Sequence, residues 1–323
     1  MKEVQQLTED IIRQASRVII GKEEQIRLVV MAVFCGGHVL FEDLPGVGKT
    51  TLVKVLSRVL GCSFSRVQFT PDLLPSDILG MSIFNQKTGD FEIRLGPVMC
   101  NLFLADEINR AIPRTQAALL EAMEERQITI DNRTYPLPEP FLVMATQNPI
   151  DMESTFNLPQ AQMDRFLIRV SLGYPNHGDE LRMLRVVGDE IPFADVETIL
   201  DEQRIAEIQQ KIRTVYVSDP VLEYIVSLVE ATRQNKRFRL PAGPRGSRAL
   251  YRAGKVWAAM SGRDFVTPDD IKSLAQPVLC HRLRLSQEAL LEEFKAHELL
   301  KEILVKTQAP LRKEEILRTA NKL

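Results

Sequence analysis

Eight residues near the start of the chain are of types that together can bind a phosphate chain. They read D-L-P-G-V-G-K-T over Asp43–Thr50 and match the second half of the pattern G-x-x-x-x-G-K-[ST]. Glycines let backbone N–H groups close around phosphate oxygens, and a helix that begins there points its positive end at the same charge. The lysine of such a loop reaches the β- and γ-phosphates, and the hydroxyl after it ligates Mg²⁺. The nucleoside triphosphate site predicted from this loop comprises Pro45, Gly46, Val47, Gly48, Lys49, Thr50 and Thr51, with Thr50 as a metal ligand.

One position departs from that pattern. Asp43 stands where the first glycine is expected, so the turn must tolerate a side chain. A chance glycine-rich turn is the alternative, and the apolar run before the loop and the helical pattern after it favour the phosphate site.

Two adjacent acids follow a second apolar run. Asn101–Ala105 leads directly into Asp106 and Glu107. Acids at the carboxyl end of a buried parallel strand lie where such sheets bind ligands. We expect Asp106 to hold Mg²⁺ through its water shell and Glu107 to accept a proton from the attacking water. An acidic helix cap is the alternative, which the spacing after the phosphate loop makes the less favoured one.

Two further polar residues are candidates for the same chemistry. Asn148 follows an apolar run and could orient the attacking water beside the γ-phosphate, although taken alone an asparagine before proline favours a turn residue. Arg165 precedes another apolar run and is a candidate arginine finger, although taken alone a surface ion pair is the favoured explanation for it.

The elements that must position these residues alternate between strands and helices. Short apolar runs predict five buried strands, at 38–42, 64–69, 101–105, 141–146 and 167–170, and helical patterns lie between most of them. This alternation predicts an α/β fold with a parallel sheet covered on both sides. Beyond residue 173 the periodicity is helical throughout. We therefore predict a nucleotide-binding domain over residues 1–173 and a smaller all-helical domain over 174–323.

Bulk composition excludes several classes of protein. The 323 residues carry a net charge of −2, so no field of the whole molecule attracts nucleic acid or an anionic membrane. The four cysteines stand far apart and form no metal-type or redox pair, and the four histidines have no ligand spacing. The polar N-terminus and the short longest apolar stretch, Leu28–Cys35, lack the patterns of a signal peptide and a membrane span. We expect a cytoplasmic protein without membrane insertion.

Several ordered stretches together resemble the MoxR family of AAA+ ATPases. The resemblance covers about Val18 to Leu285. It rests on E-D-L-P-G-V-G-K-T at 42–50, F-T-P-D-L-L-P-S-D-I-L-G at 69–80, L-G-P-V at 95–98, A-D-E-I-N-R-A at 105–111, Q-A-A-L-L-E-A-M-E-E at 116–125, A-T-Q-N-P at 145–149, L-P-Q-A-Q-M-D-R-F at 158–166 and G-R-D-F-V-T-P-D-D-I at 262–271. Members of this family often lack the first glycine of the phosphate loop, as this chain does.

The resemblance implies a P-loop core with a five-stranded parallel sheet, a helical lid, and hydrolysis of ATP with Mg²⁺. It places the adenine near Ile20 and Gly21 and makes Asn148 the sensor beside the γ-phosphate. Arg165 becomes a finger that acts on a neighbour's ATP, which requires a ring, and a hexamer is the expected state. Arg245 is implied as the lid arginine that contacts nucleotide, although Gly243 stands where the family has serine.

The resemblance also implies remodelling or maturation of a partner protein, including cofactor or metal insertion, and partners of the family commonly carry a von Willebrand factor A domain. Turn signals at 85–90 and 131–133 predict two hairpin insertions, which in related rings point toward the pore; solvated surface hairpins are the alternative.

A nucleic-acid motor of the helicase superclass stays open because 233–248 carries six basic residues and no acid, although a role beside nucleotide is the preferred reading. A magnesium-chelatase-type motor subunit and a non-hydrolysing scaffold are further alternatives, the scaffold being the least favoured.

Overall fold

The structure, a computed structural model, describes residues 1–147, 156, 158–186 and 193–310. By the contacts between its residues, the chain divides into two compact units: one is Glu3–Lys211, and Met1–Lys2 with the residues from Ile212 onward forms the other. Among the described residues, no helix is long and apolar enough to cross a bilayer.

Five short strands form the central sheet of the first unit, and all of them except β2 are apolar-rich. They pair in parallel in the spatial order β2-β5-β8-β1-β9, and all five residues of β5 are buried. Strands buried on both faces read as continuous apolar runs, which is why β1, β5, β8 and β9 are visible in the sequence. β2 was predicted to be buried as well, but it is partly exposed because it is an outermost strand of the sheet and carries polar side chains. The five predicted strands and the α/β fold class are confirmed, with bounds that shift by one residue at most. In chain order the strands of this unit are β1 (His38–Glu42), β2 (Phe64–Gln68), β3 (Gly80–Asn85), β4 (Asp90–Leu95), β5 (Leu102–Asp106), β6 (Gln127–Ile130), β7 (Arg133–Pro136), β8 (Leu142–Gln147) and β9 (Phe166–Val170).

Helices connect these strands. α2 lies against β1 and β9, and α3 lies against β5. α5 begins with proline in its first turn and ends at Arg126, which adopts a left-handed conformation (φ 53°). Leu119 and Leu120 of α5 pack in one core cluster with Phe103 and Val143 of the sheet. The helices of this unit are α1 (Lys2–Ala15), α2 (Glu23–Cys35), α3 (Lys49–Val59), α4 (Pro75–Leu79), α5 (Pro113–Glu125), α6 (Gln160–Met163), α7 (His177–Val186) and α8 (Glu202–Ile212).

The two predicted insertions are antiparallel hairpins. β3 pairs with β4 and β6 pairs with β7. Asp131 and Asn132 form the second turn with positive φ values of 46° and 62°, as a tight turn between strands requires. On the first hairpin, the exposed rings of Phe84 and Phe91 meet edge to face with centroids 5.3 Å apart. That these hairpins point toward a pore stays a prediction.

The second unit is mainly helical, as predicted. It also contains a two-stranded antiparallel sheet of β10 and β11, which the sequence did not reveal because three and two residues are too few to show periodicity. Thr267 caps α11, and its side chain accepts a hydrogen bond from the backbone N–H of Asp270. The elements are α9 (Asp219–Gln234), β10 (Phe238–Leu240), α10 (Pro244–Met260), α11 (Pro268–Leu279), β11 (Arg284–Leu285), α12 (Gln287–Leu291) and α13 (Ala296–Lys306).

The division between the units lies after Lys211, whereas the sequence predicted a domain boundary after residue 173. The segment before α8 stays with the first unit because it bonds to that unit's helices. The backbone N–H of Ile199 donates to the carbonyl of Val59 at 2.7 Å, and Gln14 of α1 donates to the Glu197 carboxylate at 3.1 Å. The end of the sheet and the end of the compact unit are therefore different places in the chain.

Candidate functional site

The phosphate loop and the paired acids meet at one edge of the sheet. The loop follows the carboxyl end of β1, the acids stand at the carboxyl end of β5, and β8 lies between these two strands. They enclose a cavity of about 380 Å³. Its lining brings together most of the predicted residues with three that were not predicted: Pro45, Gly46, Gly48, Lys49, Thr50, Thr51, Arg66, Gln68, Asp106, Glu107 and Thr146.

The conformation of the loop depends on its two glycines. Gly46 has φ 81° and Gly48 has φ 88°, in the left-handed region that side chains disfavour. Gly48 is also the residue before α3 and has no side chain to cap it. The first N–H groups of α3 are thus left to an external acceptor, and the helix dipole favours an anionic one.

Lys49 lies folded onto its own loop. Its Nζ donates to the carbonyl oxygens of Asp43 at 3.1 Å and Leu44 at 2.9 Å. Burial lowers the pKa of Lys49, while the nearby carboxylates of Asp43, Asp106 and Glu107 act in the opposite direction. The ammonium is therefore held at the cavity by weak carbonyl acceptors, which phosphate oxygens can replace.

The carboxylate of Asp43 explains how the loop dispenses with its first glycine. The residue is buried, and its side chain is absent from the cavity lining. Its oxygens accept hydrogen bonds from the Ser171 hydroxyl at 2.6 Å and from the backbone N–H groups of Leu172 at 2.6 Å and Gly173 at 3.0 Å. Asp43 thereby joins the phosphate loop to the chain that leaves β9.

Thr146, at the end of β8, fixes both acids. Its hydroxyl donates to Asp106 Oδ1 at 2.6 Å and accepts from the backbone N–H of Glu107 at 2.8 Å. Glu107 has φ 55°, so the backbone turns sharply directly after the end of β5, and the side chain of Glu107 lines the cavity.

Side chains of β2 and of the turn after β5 hold the acids from the other side. Arg66 donates to Asp106 Oδ2 through Nε at 3.0 Å and Nη2 at 2.7 Å. Gln68 Nε2 and Arg110 Nη1 each donate to Glu107 Oε2 at 2.8 Å. Arg66 and Gln68 are two residues apart and so lie on one face of β2. The sequence F-S-R-V-Q places both of these polar residues on one face of a strand, but no local pattern pairs them with the acids of β5.

The oxygen donors present suit Mg²⁺ bound together with a nucleotide. Thr50 and Asp106 line the same cavity. Among the residues that the structure describes, no group of three or more His, Cys, Asp or Glu side chains could hold a metal by itself. Mg²⁺ is usually bound by one or two protein oxygens with phosphate and water completing its shell, so this donor set fits the ion.

The remaining predicted residues are absent from the cavity lining or lie outside the described residues. Ile20 is buried, and Gly21 packs against the carboxylate of Asp179 at the start of α7; neither belongs to the cavity lining, and neither does Val47. Asn148 lies outside the described residues. Arg245 is exposed in the first turn of α10, in the second unit.

Arg165 lies at the amino ends of the parallel strands, whereas the phosphate loop lies at their carboxyl ends. It directly precedes the amino end of β9, whose Phe166 pairs with the first residue of β1. Its guanidinium pairs with Glu124 of α5, with both Nε and Nη2 at 2.7 Å from Oε2. Five residues of strand separate these two ends, roughly 16 Å. Arg165 is therefore out of reach of the cavity in its own chain.

Comparison with known proteins agrees with this geometry. The ATPase family associated with various cellular activities (AAA) matches residues 38–168, and the AAA lid domain matches residues 230–303. The chaperone MoxR1 of Mycobacterium tuberculosis is 39% identical over 311 residues, which cover 94% of this chain and 82% of that protein. The chain belongs to the MoxR family of AAA+ ATPases.

Two further relatives of this MoxR-family ATPase match almost end to end. The uncharacterized protein YeaC of Bacillus subtilis is 44% identical over 305 residues, covering 94% of this chain and 95% of that one. The crystal structure of a candidate ATPase from Cytophaga hutchinsonii superposes with a TM-score of 0.89 at 37% identity, covering 96% of this chain and 97% of that one. The nucleotide-binding fold and its lid thus extend over nearly the whole sequence.

Proposed function

We propose that this ATPase hydrolyses ATP with Mg²⁺ in the cavity between the phosphate loop and β5, and that turnover remodels a partner protein. The observation that carries the proposal is that Lys49, Thr50, Asp106 and Glu107 line one cavity at the carboxyl edge of a parallel sheet. The nucleotide-binding domain is proposed as residues 1–173 and the lid as 174–323, and the protein is proposed to act in the cytoplasm.

Each side chain has a distinct task in the proposed reaction. Backbone N–H groups of 45–51 hold the phosphates, and Lys49 exchanges its carbonyl partners for β- and γ-phosphate oxygens. Thr50 and, through water, Asp106 would hold Mg²⁺, which would supply positive charge next to the phosphates. Glu107, held in place by Gln68 and Arg110, accepts the proton of the attacking water. Asn148 is proposed to orient that water, and Ile20, Gly21 and Arg245 to contact the nucleotide.

The location of Arg165 supports hydrolysis in a ring. An arginine finger must touch the γ-phosphate, and Arg165 lies at the far edge of its own sheet. If subunits pack head to tail, a neighbouring subunit can bring its cavity next to Arg165. Such packing forms a closed ring when the rotations between successive subunits add up to a full turn. We propose a hexamer, in which Arg165 leaves Glu124 for the neighbour's ATP.

Remodelling of a partner protein is supported by the family. The relative from Mycobacterium tuberculosis is named a chaperone. The proposed partner is a separate protein, such as one with a von Willebrand factor A domain. A nucleic-acid motor is less favoured because the net charge is −2 and because Arg233, in the basic segment 233–248, donates to the carbonyl of Ala242 at 3.1 Å within the fold.

The test of the remodelling role uses a partner with a von Willebrand factor A domain and follows its amide hydrogen exchange. We expect exchange in the partner to rise with the wild-type ATPase and ATP, and not with Glu107→Gln, which should bind ATP without hydrolysing it. Arg204→Gln, a surface change in α8, serves as the matched control and should behave as wild type. Equal exchange with wild type and Glu107→Gln would refute ATP-driven remodelling of that partner while leaving the ATPase site intact.

A further inference from the structure

Arg66 occupies the carboxylate that the metal needs. Two of its nitrogens, Nε and Nη2, lie 3.0 Å and 2.7 Å from the same oxygen, Oδ2 of Asp106. The other oxygen, Oδ1, accepts from the hydroxyl of Thr146 at 2.6 Å. Both oxygens of Asp106 are therefore engaged by protein donors, and Oδ2, which already accepts two hydrogen bonds from Arg66, can accept Mg²⁺ or a metal-bound water only if Arg66 moves.

Burial explains why a cation is needed at this place. Asp106 is 9% exposed, and a carboxylate at that depth is costly unless it is paired and hydrogen-bonded. Arg66 forms an ion pair with it, with Nη2 2.7 Å from Oδ2. Thr146 is a neutral donor and lies on a fully buried stretch of strand, so of the two partners it is less able to leave.

The side chain of Arg66 can dissociate from Asp106 more easily than that of Thr146 can. The Arg66 side chain is 43% exposed, in contrast to 12% for that of Asp106, and it faces the cavity. Its Nη2 also donates to Oε1 of Gln68 at 2.9 Å, so a polar partner remains when Asp106 is released. Two cations on one carboxylate repel each other, which makes occupancy by Arg66 and by Mg²⁺ mutually exclusive or strongly opposed.

We propose that Arg66 is a cationic placeholder for Mg²⁺: it holds Asp106 while the metal is absent and releases it when the metal binds. The inference rests on the proposed magnesium role of Asp106. Arg66 is a positioning residue in this proposal, since it acts through Asp106. It sets how strongly metal and nucleotide depend on each other for binding.

The test measures binding rather than turnover. A fluorescent ADP derivative is titrated once in excess EDTA and once in excess Mg²⁺. The Kd in EDTA divided by the Kd in Mg²⁺ measures the coupling between metal and nucleotide binding. In Arg66→Gln the metal no longer has a competitor, and without metal the unpaired Asp106 repels the phosphates. We expect the ratio to rise about tenfold, the effect of one charge-assisted hydrogen bond of this exposure.

Three variants make the result specific. Arg204→Gln removes an arginine from a surface ion pair in α8 and should leave the ratio unchanged. Arg66→Lys keeps the positive charge but loses the two-nitrogen contact of the guanidinium, so we expect its ratio to rise less than that of Arg66→Gln. If thermal unfolding shows that Arg66→Gln does not fold, Arg66→Lys takes its place in the test. In an Asp106→Asn background, Arg66→Gln should have no further effect on the ratio.

The outcomes separate this inference from the function on which it rests. An unchanged ratio in the Arg66 variants, or an equal rise in the Asp106→Asn background, would overturn the placeholder role, because Arg66 would then be idle or act on nucleotide directly. If Asp106→Asn alone leaves the ratio as in wild type, the proposed metal role of Asp106 fails and the placeholder role fails with it.

Discussion

At the scale of single residues, Asp43 performs a task that the phosphate-loop pattern does not contain. Its buried carboxylate accepts three hydrogen bonds from the residues that follow β9. Asp43→Gly would restore the first glycine of the pattern. We expect it nevertheless to lower the free energy of unfolding by about 3 kcal/mol, since it strands buried N–H donors of Leu172 and Gly173. Chemical denaturation of the purified variant measures the change.

Asp131→Gly is the matched control for that substitution. Asp131 is exposed in a turn and has φ 46°, a conformation that glycine adopts without strain. Its free energy of unfolding should stay within about 0.5 kcal/mol of the wild type. If Asp43→Gly were equally neutral, the bonds from Asp43 to the chain after β9 would not contribute to stability.

The thiols provide a pH-dependent prediction. Burial raises the pKa of Cys62 and of Cys100 to about 12, from an ordinary value of 9.0, and Cys35 and Cys280 are buried as well. At pH 8 a disulfide reagent should therefore react promptly with none of the four thiols of the folded protein, and with all four in denaturant. Thr88→Cys, on the exposed turn of the first hairpin, should add one promptly reacting thiol.

The same shifts determine how stability changes with pH. Because the folded-state pKa of these two thiols lies above the unfolded value, their contribution is complete below about pH 9 and is lost as the pH rises toward 12. Prompt reaction of one or more wild-type thiols at pH 8 would contradict the burial of those thiols.

Sequence patterns identified the residues of the phosphate loop and the two acids, because each is defined by residue type next to an apolar strand. The structure brings Lys49, Thr50, Asp106 and Glu107 to one cavity, and their roles there stay proposals. The partners of the acids could not be found in this way. Arg66 and Thr146 lie far from them in the chain, and only the strand order brings them together.

At the scale of elements, the start of α11 depends on one buried acid. Asp270 is 4% exposed, and its carboxylate binds the guanidinium of Arg263 and the backbone N–H of Thr267. Asp270→Ala leaves that guanidinium without its partner and removes half of the capping box. We expect a loss of about 3 kcal/mol in the free energy of unfolding, measured by chemical denaturation.

Asp269 provides the comparison in the same turn of the same helix. Its side chain is 80% exposed, and its ion pair with Lys272 is a surface contact. Asp269→Ala should therefore cost less than about 1 kcal/mol. Equal losses for the two variants would mean that helix-terminal charge, rather than the buried contacts of Asp270, stabilises this helix.

The elements were predicted to differing degrees. The central strands and the helical character of the second half were predicted correctly, because an apolar run or a helical repeat there extends over enough residues to be recognised. β10 and β11 were missed because they have three and two residues. The compact unit ends after Lys211, well beyond the last strand of the sheet, because Ile199 bonds to the end of α3, a long-range contact that no local pattern records.

At the scale of the whole molecule, we expect more than one chain to take part in each reaction. The cavity and Arg165 belong to opposite edges of one sheet, so a complete site is expected to combine the cavity of one subunit with the arginine of the next. In the single chain Arg165 pairs with Glu124, a half-exposed ion pair that costs little to break. Specific activity should therefore rise with protein concentration as rings assemble.

Mixing two inactive variants tests this claim most directly. Arg165→Ala retains a complete cavity but no finger, and Glu107→Gln retains the finger but no base. We predict that each variant alone hydrolyses ATP at less than about 1% of the wild-type rate, and that an equimolar mixture recovers activity because some interfaces join an intact cavity to an intact arginine. Arg204→Ala, a surface arginine outside the site, should keep the wild-type rate. Full activity of Arg165→Ala alone, or a mixture that stays inactive although both variants assemble, would contradict the shared site.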